Sequence, residues 1–166
     1  MLEQFGFTKV GQWHLSEDHS SVAHLAHLHG ITFGLDEGVP SKRYVVYAFR
    51  FDDKTRYVGV TDATGGLGAR LGGYRYGNPY PRDTDNRVKE AITTHLSGGG
   101  AVTIWIAAPI AELRLPNQTL CFPGFRVLED YIIAALKPDL NIQGLRGRRD
   151  GKAPNKSATT ADRPRK

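Results

Sequence analysis

A chain of 166 residues with 40% apolar content has room for one core, and its single cysteine, Cys121, excludes an internal disulfide and suits a reducing cytoplasm. No apolar run is long enough to cross a bilayer, and the opening residues MLEQFGFTKVGQ mix acid, amide and lysine instead of forming a secretory signal. The net charge of +5 points to an anionic partner, and its placement is uneven: from Gln143 onward eight Lys and Arg stand against two Asp, a net +6 that leaves the remainder at −1.

In chain order, the first forty residues contain SEDHSSVAHLAHLHG, where Val22, Leu25, Ala26 and Leu28 recur at helical spacing and Gly30 marks a stop. The Gly- and Pro-bearing GLDEGVP then acts as a linker. Tyr44 to Phe51 and Thr55 to Thr61 read as two strands rich in β-branched and aromatic residues, joined by the three-residue turn DDK. GGLGARLGGYRYG is at best a short helix, its glycines each costing about 1 kcal/mol relative to alanine and leaving room for a polyanionic backbone to approach. DTDNRVKEAITTHLSGGG makes a better helix, capped by Asp83 or Thr84, with Val88, Ala91, Ile92 and Leu96 on one face and glycines ending it. The continuous apolar run AVTIWIAAP is a third strand buried on both faces. An irregular loop with Pro116, Asn117 and Cys121 follows, and PGFRVLEDYIIAALKP forms a last helix entered through Pro123 and stopped by Pro138.

Three strands and their helices make an α+β fold: a small three-stranded sheet flanked by helices. The domain plan is an N-terminal extension with a short helix over 1–42, a core domain over 43–142 and a basic disordered tail over 143–166. The tail, with almost no apolar residues, cannot offset its own ordering entropy. Its Arg146, Arg148 and Arg149 are candidates to neutralise phosphates, with a merely solubilising tail as the alternative.

Within the hairpin, Val45-Val46-Tyr47 and Tyr57-Val58-Gly59 place two tyrosines ten positions apart, and this pair resembles the signature of the GIY-YIG nuclease family. Arg70 in GARLGGY, Glu129 in VLEDYII and Asn141 in KPDLN match the family's arginine, metal-binding glutamate and late asparagine in the same order, over about 43–142. Tyr74, four residues after Arg70, stands where several restriction enzymes of the family carry a histidine or tyrosine. Valines replace the usual Gly-Ile of the first motif and Ile of the second.

The resemblance implies a metal-dependent endonuclease hydrolysing phosphodiester bonds in nucleic acid, double-stranded DNA above all, in a restriction- or repair-like role. In that reading Tyr47 accepts the proton of the attacking water, and Arg70 binds the scissile phosphate. Tyr57 and Tyr74 orient water or phosphate, Asn141 ties the last helix to the sheet, and Glu129 is the sole protein ligand of Mg2+ (or Mn2+). A homodimer on DNA would let each copy cut one strand. Two readings from other classes are a catalytically silent nucleic-acid-binding module of the same fold and an interaction domain whose tail binds acidic proteins.

The residues also speak without the family. Tyr47 and Tyr57 share a sheet face only if the turn is odd in length or a bulge shifts the register; the three residues of DDK put Phe51 opposite Thr55 and Phe49 opposite Tyr57, and the alternative is that two tyrosines merely fill a core edge. Arg70 and Tyr74, four apart, share a helix face, with an ordinary surface arginine as the alternative. Arg75, one position round, faces solvent or a phosphate backbone. Glu129 has Phe125, Ile132 and Ile133 as helical neighbours, so its carboxylate projects from an apolar stripe and calls for a cation: Arg70, a metal ion, or both. RYGNPYPRD, with Tyr76, Asn78, Tyr80 and Arg82, mixes aromatic, amide and basic groups on a loop suited to nucleic acid. Trp13 and Trp105 read as core, and the spacing of His24, His27 and His29 matches no zinc motif.

Overall fold

The computed structural model describes residues 1–16, 30–76 and 84–141. The helix expected within 16–30, with its histidines, falls almost wholly outside the described residues, and so do Asn78, Tyr80, Arg82 and the tail. A short 3-10 turn at Leu2–Phe5 leads into β1 (Thr8–Leu15) and β2 (Ile31–Leu35), then β3 (Val45–Phe51), β4 (Lys54–Thr61), α1 (Gly66–Tyr76), α2 (Thr84–Ser97), β5 (Val102–Ala107), β6 (Ile110–Leu115), β7 (Gln118–Pro123) and α3 (Phe125–Leu136).

The expected three-stranded sheet is instead five-stranded, in the order β2-β1-β5-β3-β4 with every neighbour antiparallel. Residues 1–42 contribute β1 and β2 to the same sheet as β3, β4 and β5. The period-2 signal of β1 is broken by a register shift between Lys9 and Gly11, so its two buried side chains, Val10 and Trp13, stand three apart instead of two or four. Trp13 is core as expected, edge-on to Phe33 and Phe49. Trp105 is half-buried, its Nε1 donating to Thr103 Oγ1 at 2.9 Å.

Two helical layers cover the sheet. On one face Val10, Trp13, Tyr47, Phe49, Tyr57 and Ile104 pack against Leu67, Leu71 and Tyr74 of α1 and Val88 and Ile92 of α2, with Ala91 and Leu96 at the margin. On the other, Val46, Ala48 and Val58 meet Phe125 and Ile132 of α3, together with Leu2 and Phe7. Each buried Val, Leu, Ile or Phe among them stabilises the fold by about 1.5–3 kcal/mol. Alternation along β3 thus sends Tyr47 to the α1/α2 face and Val46 to the α3 face.

The β3–β4 turn is tighter than DDK suggests. Phe51 pairs with Lys54, leaving a two-residue turn in which Asp52 adopts φ 47° and its carboxylate accepts the Ala101 N–H at 2.9 Å. A bulge between Phe49 and Arg50 then absorbs Arg56 and restores Phe49 opposite Tyr57, so both tyrosines reach one face through the bulge and not through an odd turn. The irregular loop expected around Pro116 and Asn117 is the hairpin β6–β7, with those two residues as its turn. Every position of β7 is exposed, Cys121 included, so no buried face marked it as a strand. Pro123 closes β7, and α3 begins after Gly124. Among the described residues no helix is long and apolar enough to cross a membrane.

Candidate active site

Three phenols meet around Phe49. The rings of Tyr47, Tyr57 and Tyr74 lie with centroids 5.4–5.5 Å from that of Phe49, and their hydroxyls converge above it. Tyr47 comes from β3, Tyr57 from β4 through the bulge, and Tyr74 from the fourth turn position after Arg70 on α1. Arg70 and Tyr74 share a helix face as their spacing requires, the guanidinium 4.4 Å over the Tyr74 ring.

The hydroxyls form a directed chain. Arg70 Nε donates to Tyr47 Oη at 3.0 Å and Arg70 Nη2 to Tyr74 Oη at 2.6 Å. Tyr74 donates to Tyr57 at 2.9 Å, and the 2.7 Å contact between Tyr47 and Tyr74 is therefore donated by Tyr47, because each phenol has one proton. Tyr57 ends the chain. Gly59, opposite Tyr47 on β4, belongs to the same device: a Cβ there would fall 2.6 Å from the Tyr47 hydroxyl, so only glycine lets the phenol lie across the edge strand.

Burial holds the Tyr47 hydroxyl far above the ordinary phenol range, the Tyr57 neighbour adds to this, and the Arg70 charge opposes it. Tyr74 is raised for the same reason, burial first and the other two phenols next. For Arg70, burial acts against the charged form. The Asp85 hydrogen bonds and the adjacent phenols outweigh it, so the guanidinium is held more firmly protonated than usual. Asp85, in the first turn of α2, makes a two-pronged pair with it, Nη1 to Oδ2 at 3.0 Å and Nη2 to Oδ1 at 2.9 Å. Tyr47 and Tyr74 are wholly buried, and Tyr57 is 6% exposed, so this is a closed cluster and not the open notch that its chemistry suggests.

Glu129 departs from expectation. It rides on α3, whose apolar stripe packs on the opposite face of the sheet from α1, and no ion pair joins it to Arg70 among the described residues. Among the described residues its ion-pair partner is Arg126, one turn earlier, at 3.9 Å. Burial raises its carboxyl, Arg126 pulls it down and Asp130 pushes it up, with a net rise. The carboxylate is thus half-buried and weakly partnered, as the apolar spacing of its helix implied.

No family model matches the sequence, and no curated protein is significantly similar to it. Among solved structures, a glutamate-to-alanine mutant of bacteriophage T4 EndoII superimposes with a TM-score of 0.57 at 19% sequence identity, over 84% of this chain and 94% of that one. The chain has the fold of EndoII. At that identity the likeness is one of architecture, and it agrees with the nuclease fold expected from the tyrosine motifs.

Within this EndoII fold, Asn141 closes the free edge of β4. Its Oδ1 accepts the Val58 N–H at 2.8 Å and its Nδ2 donates to the Val58 carbonyl at 2.6 Å, while Leu140 N–H reaches the Arg56 carbonyl at 2.9 Å. The turn after α3 thereby shields part of that edge. Asn141→Ala should cost about 1–2 kcal/mol, read as a lower urea midpoint at unchanged slope; an unmoved midpoint would contradict this role.

Arg75 is half-buried at the end of α1, not set out toward solvent. The α1 glycines also serve the chain itself: a Cβ on Gly68 would meet Pro40 at 3.1 Å, and one on Gly73 would press on the Arg70–Asp85 pair. Asp85 escaped the sequence reading. An acid in a first helical turn normally signals only a favourable dipole contact, and nothing ties it to an arginine fifteen residues earlier.

Proposed function

We propose that this chain is a GIY-YIG-type endonuclease that hydrolyses phosphodiester bonds in double-stranded DNA. The observation that carries the reading is the joining of Tyr47, Tyr57 and Tyr74 to a single guanidinium, Arg70, in a fold shared with EndoII. Arg70 is a cation fixed in the cluster, and it stabilises the negative charge that a transferring phosphate develops. Ionised Tyr47 accepts a proton from the attacking water through the hydroxyl chain: the water's proton goes to Tyr57, that of Tyr57 to Tyr74 and that of Tyr74 to the Tyr47 oxygen.

Glu129 is the residue that would hold the divalent ion, Mg2+ or Mn2+. It fits a hydrated ion of that kind, which takes one or two carboxylates and keeps its waters: the carboxylate is half-buried, and among the described residues the cation within ion-pair reach is Arg126 at 3.9 Å. When bound, such an ion supplies positive charge at the leaving oxygen.

Glu129→Ala should abolish nicking of supercoiled plasmid in magnesium while leaving metal-free duplex binding within about threefold of the parent. A second reading, a non-cleaving nucleic-acid-binding module, is favoured by the burial of Tyr47 and by the pairing of Arg70 with Asp85. It predicts salt-sensitive duplex binding with no nicking by either protein.

A further inference from the structure

On the reading of this cluster as a phosphodiester site, we propose that Asp85 is a positioning residue that occupies the phosphate-binding face of Arg70 at rest and is exchanged for the scissile phosphate when nucleic acid binds. A guanidinium has five N–H groups and recognises oxygen pairs along two-pronged edges. In Arg70, the Nε–Nη2 edge is spent on Tyr47 and Tyr74, and the Nη1–Nη2 edge on Asp85. One Nη1 hydrogen remains, too few for a two-pronged grip on phosphate.

Of the two occupied edges, the phenol edge is the one that cannot open, because Tyr47 and Tyr74 are wholly buried in the core. Asp85 is 18% exposed and Arg70 29%, so their shared edge is the one in reach of solvent. A carboxylate presents the same pair of oxygens that a phosphate does, and only Asp85 sets that shape in place beforehand. It also sits in the first turn of α2, where the helix dipole favours an anion. Gly73 sets no side chain of its own against the pair, since a Cβ there would stand 3.3 Å from Nη1 and 3.4 Å from Asp85 Oδ2. With Asp85 in place the pair is neutral and shows little field to a polyanion. Without its charge, Arg70 is a bare cation.

The test uses the full chain and inorganic phosphate, followed through the Arg70 Nε–H resonance by NMR, with metal-free duplex binding alongside. Asp85→Asn should tighten phosphate and duplex binding by about tenfold, while Asp85→Glu, which keeps the competing charge, stays within about threefold of the parent. If Asp85 only braces Arg70, the Asn variant binds more weakly, and that outcome overturns the proposal. Thermal melting confirms that each variant is folded, and Asp85→Ser, suited to a first helical turn, replaces the Asn variant should it not fold. Tighter phosphate binding in the Asn variant with no plasmid cleavage by the parent would keep the exchange and overturn the endonuclease reading. Cleavage by the parent with unchanged or weaker phosphate binding in the variant would do the reverse.

Discussion

Tyr47→Phe is expected to lower magnesium-dependent plasmid cleavage by about 10²–10⁴-fold, the usual scale for removing a general base. The ring stays where it is, packed on Phe49 and Tyr57, and only the oxygen is lost. Arg70 Nε loses its acceptor and the Tyr47 proton no longer reaches Tyr74, at a cost of about 1–2 kcal/mol in stability. A pH profile separates chemistry from folding. Burial holds the Tyr47 hydroxyl above its ordinary range, so the proton-accepting phenolate is scarce at neutral pH and grows as pH rises. The parent's rate should therefore climb toward alkaline pH, by about tenfold per unit where this ionisation limits it, and the Phe variant should lose that slope. A flat profile in the parent, or a Phe variant that cuts normally, would remove Tyr47 from the chemistry.

Arg70→Ala should damage chemistry and fold together. Cleavage falls by about 10³-fold, since the cluster loses the guanidinium fixed against Tyr47 and Tyr74. Stability falls by about 2–4 kcal/mol, because the Asp85 carboxylate and the buried Tyr47 and Tyr74 hydroxyls all lose a donor. Asp85 is partly reached by water, which keeps the figure below that of a sealed pair. Arg70→Lys should restore little activity, because an ammonium cannot span Tyr47, Tyr74 and Asp85 at once. The stability loss is checked by a double-mutant cycle: Asp85→Ala should cost less in the Arg70→Ala background than in the parent. Additive losses would mean that the pair does not couple and that the network is misread.

The site was legible where local spacing dictates direction. Arg70 and Tyr74 share a face because a helix repeats every 3.6 residues, and Glu129 emerges from an apolar stripe for the same reason. Phe49 opposite Tyr57 also followed from the strand period, although the turn that delivers it was one residue shorter and the missing residue reappeared as a bulge at Arg56. Two errors of opposite kind balanced there. In β1 the same device had the contrary effect, hiding the strand behind Val10 and Trp13 at a spacing of three. The partner of Arg70 was not legible at all, because both Glu129 and Asp85 are carboxylates on amphipathic helices and nothing local says on which side of the sheet each helix lies.

From the sequence alone came the element types over most of the described core, the tyrosines of the hairpin and the arginine and phenol of α1, since each depends on periodicity within a dozen residues. Only the folded chain decided that the sheet has five strands, that α1 and α3 lie on opposite faces of it, and hence that Arg70 pairs with Asp85 while Glu129 stands beside Arg126. The reason is physical: side-chain direction is set by the local backbone, whereas which charge meets which is set by long-range strand pairing and by the face each helix covers, and neither is written in any short stretch.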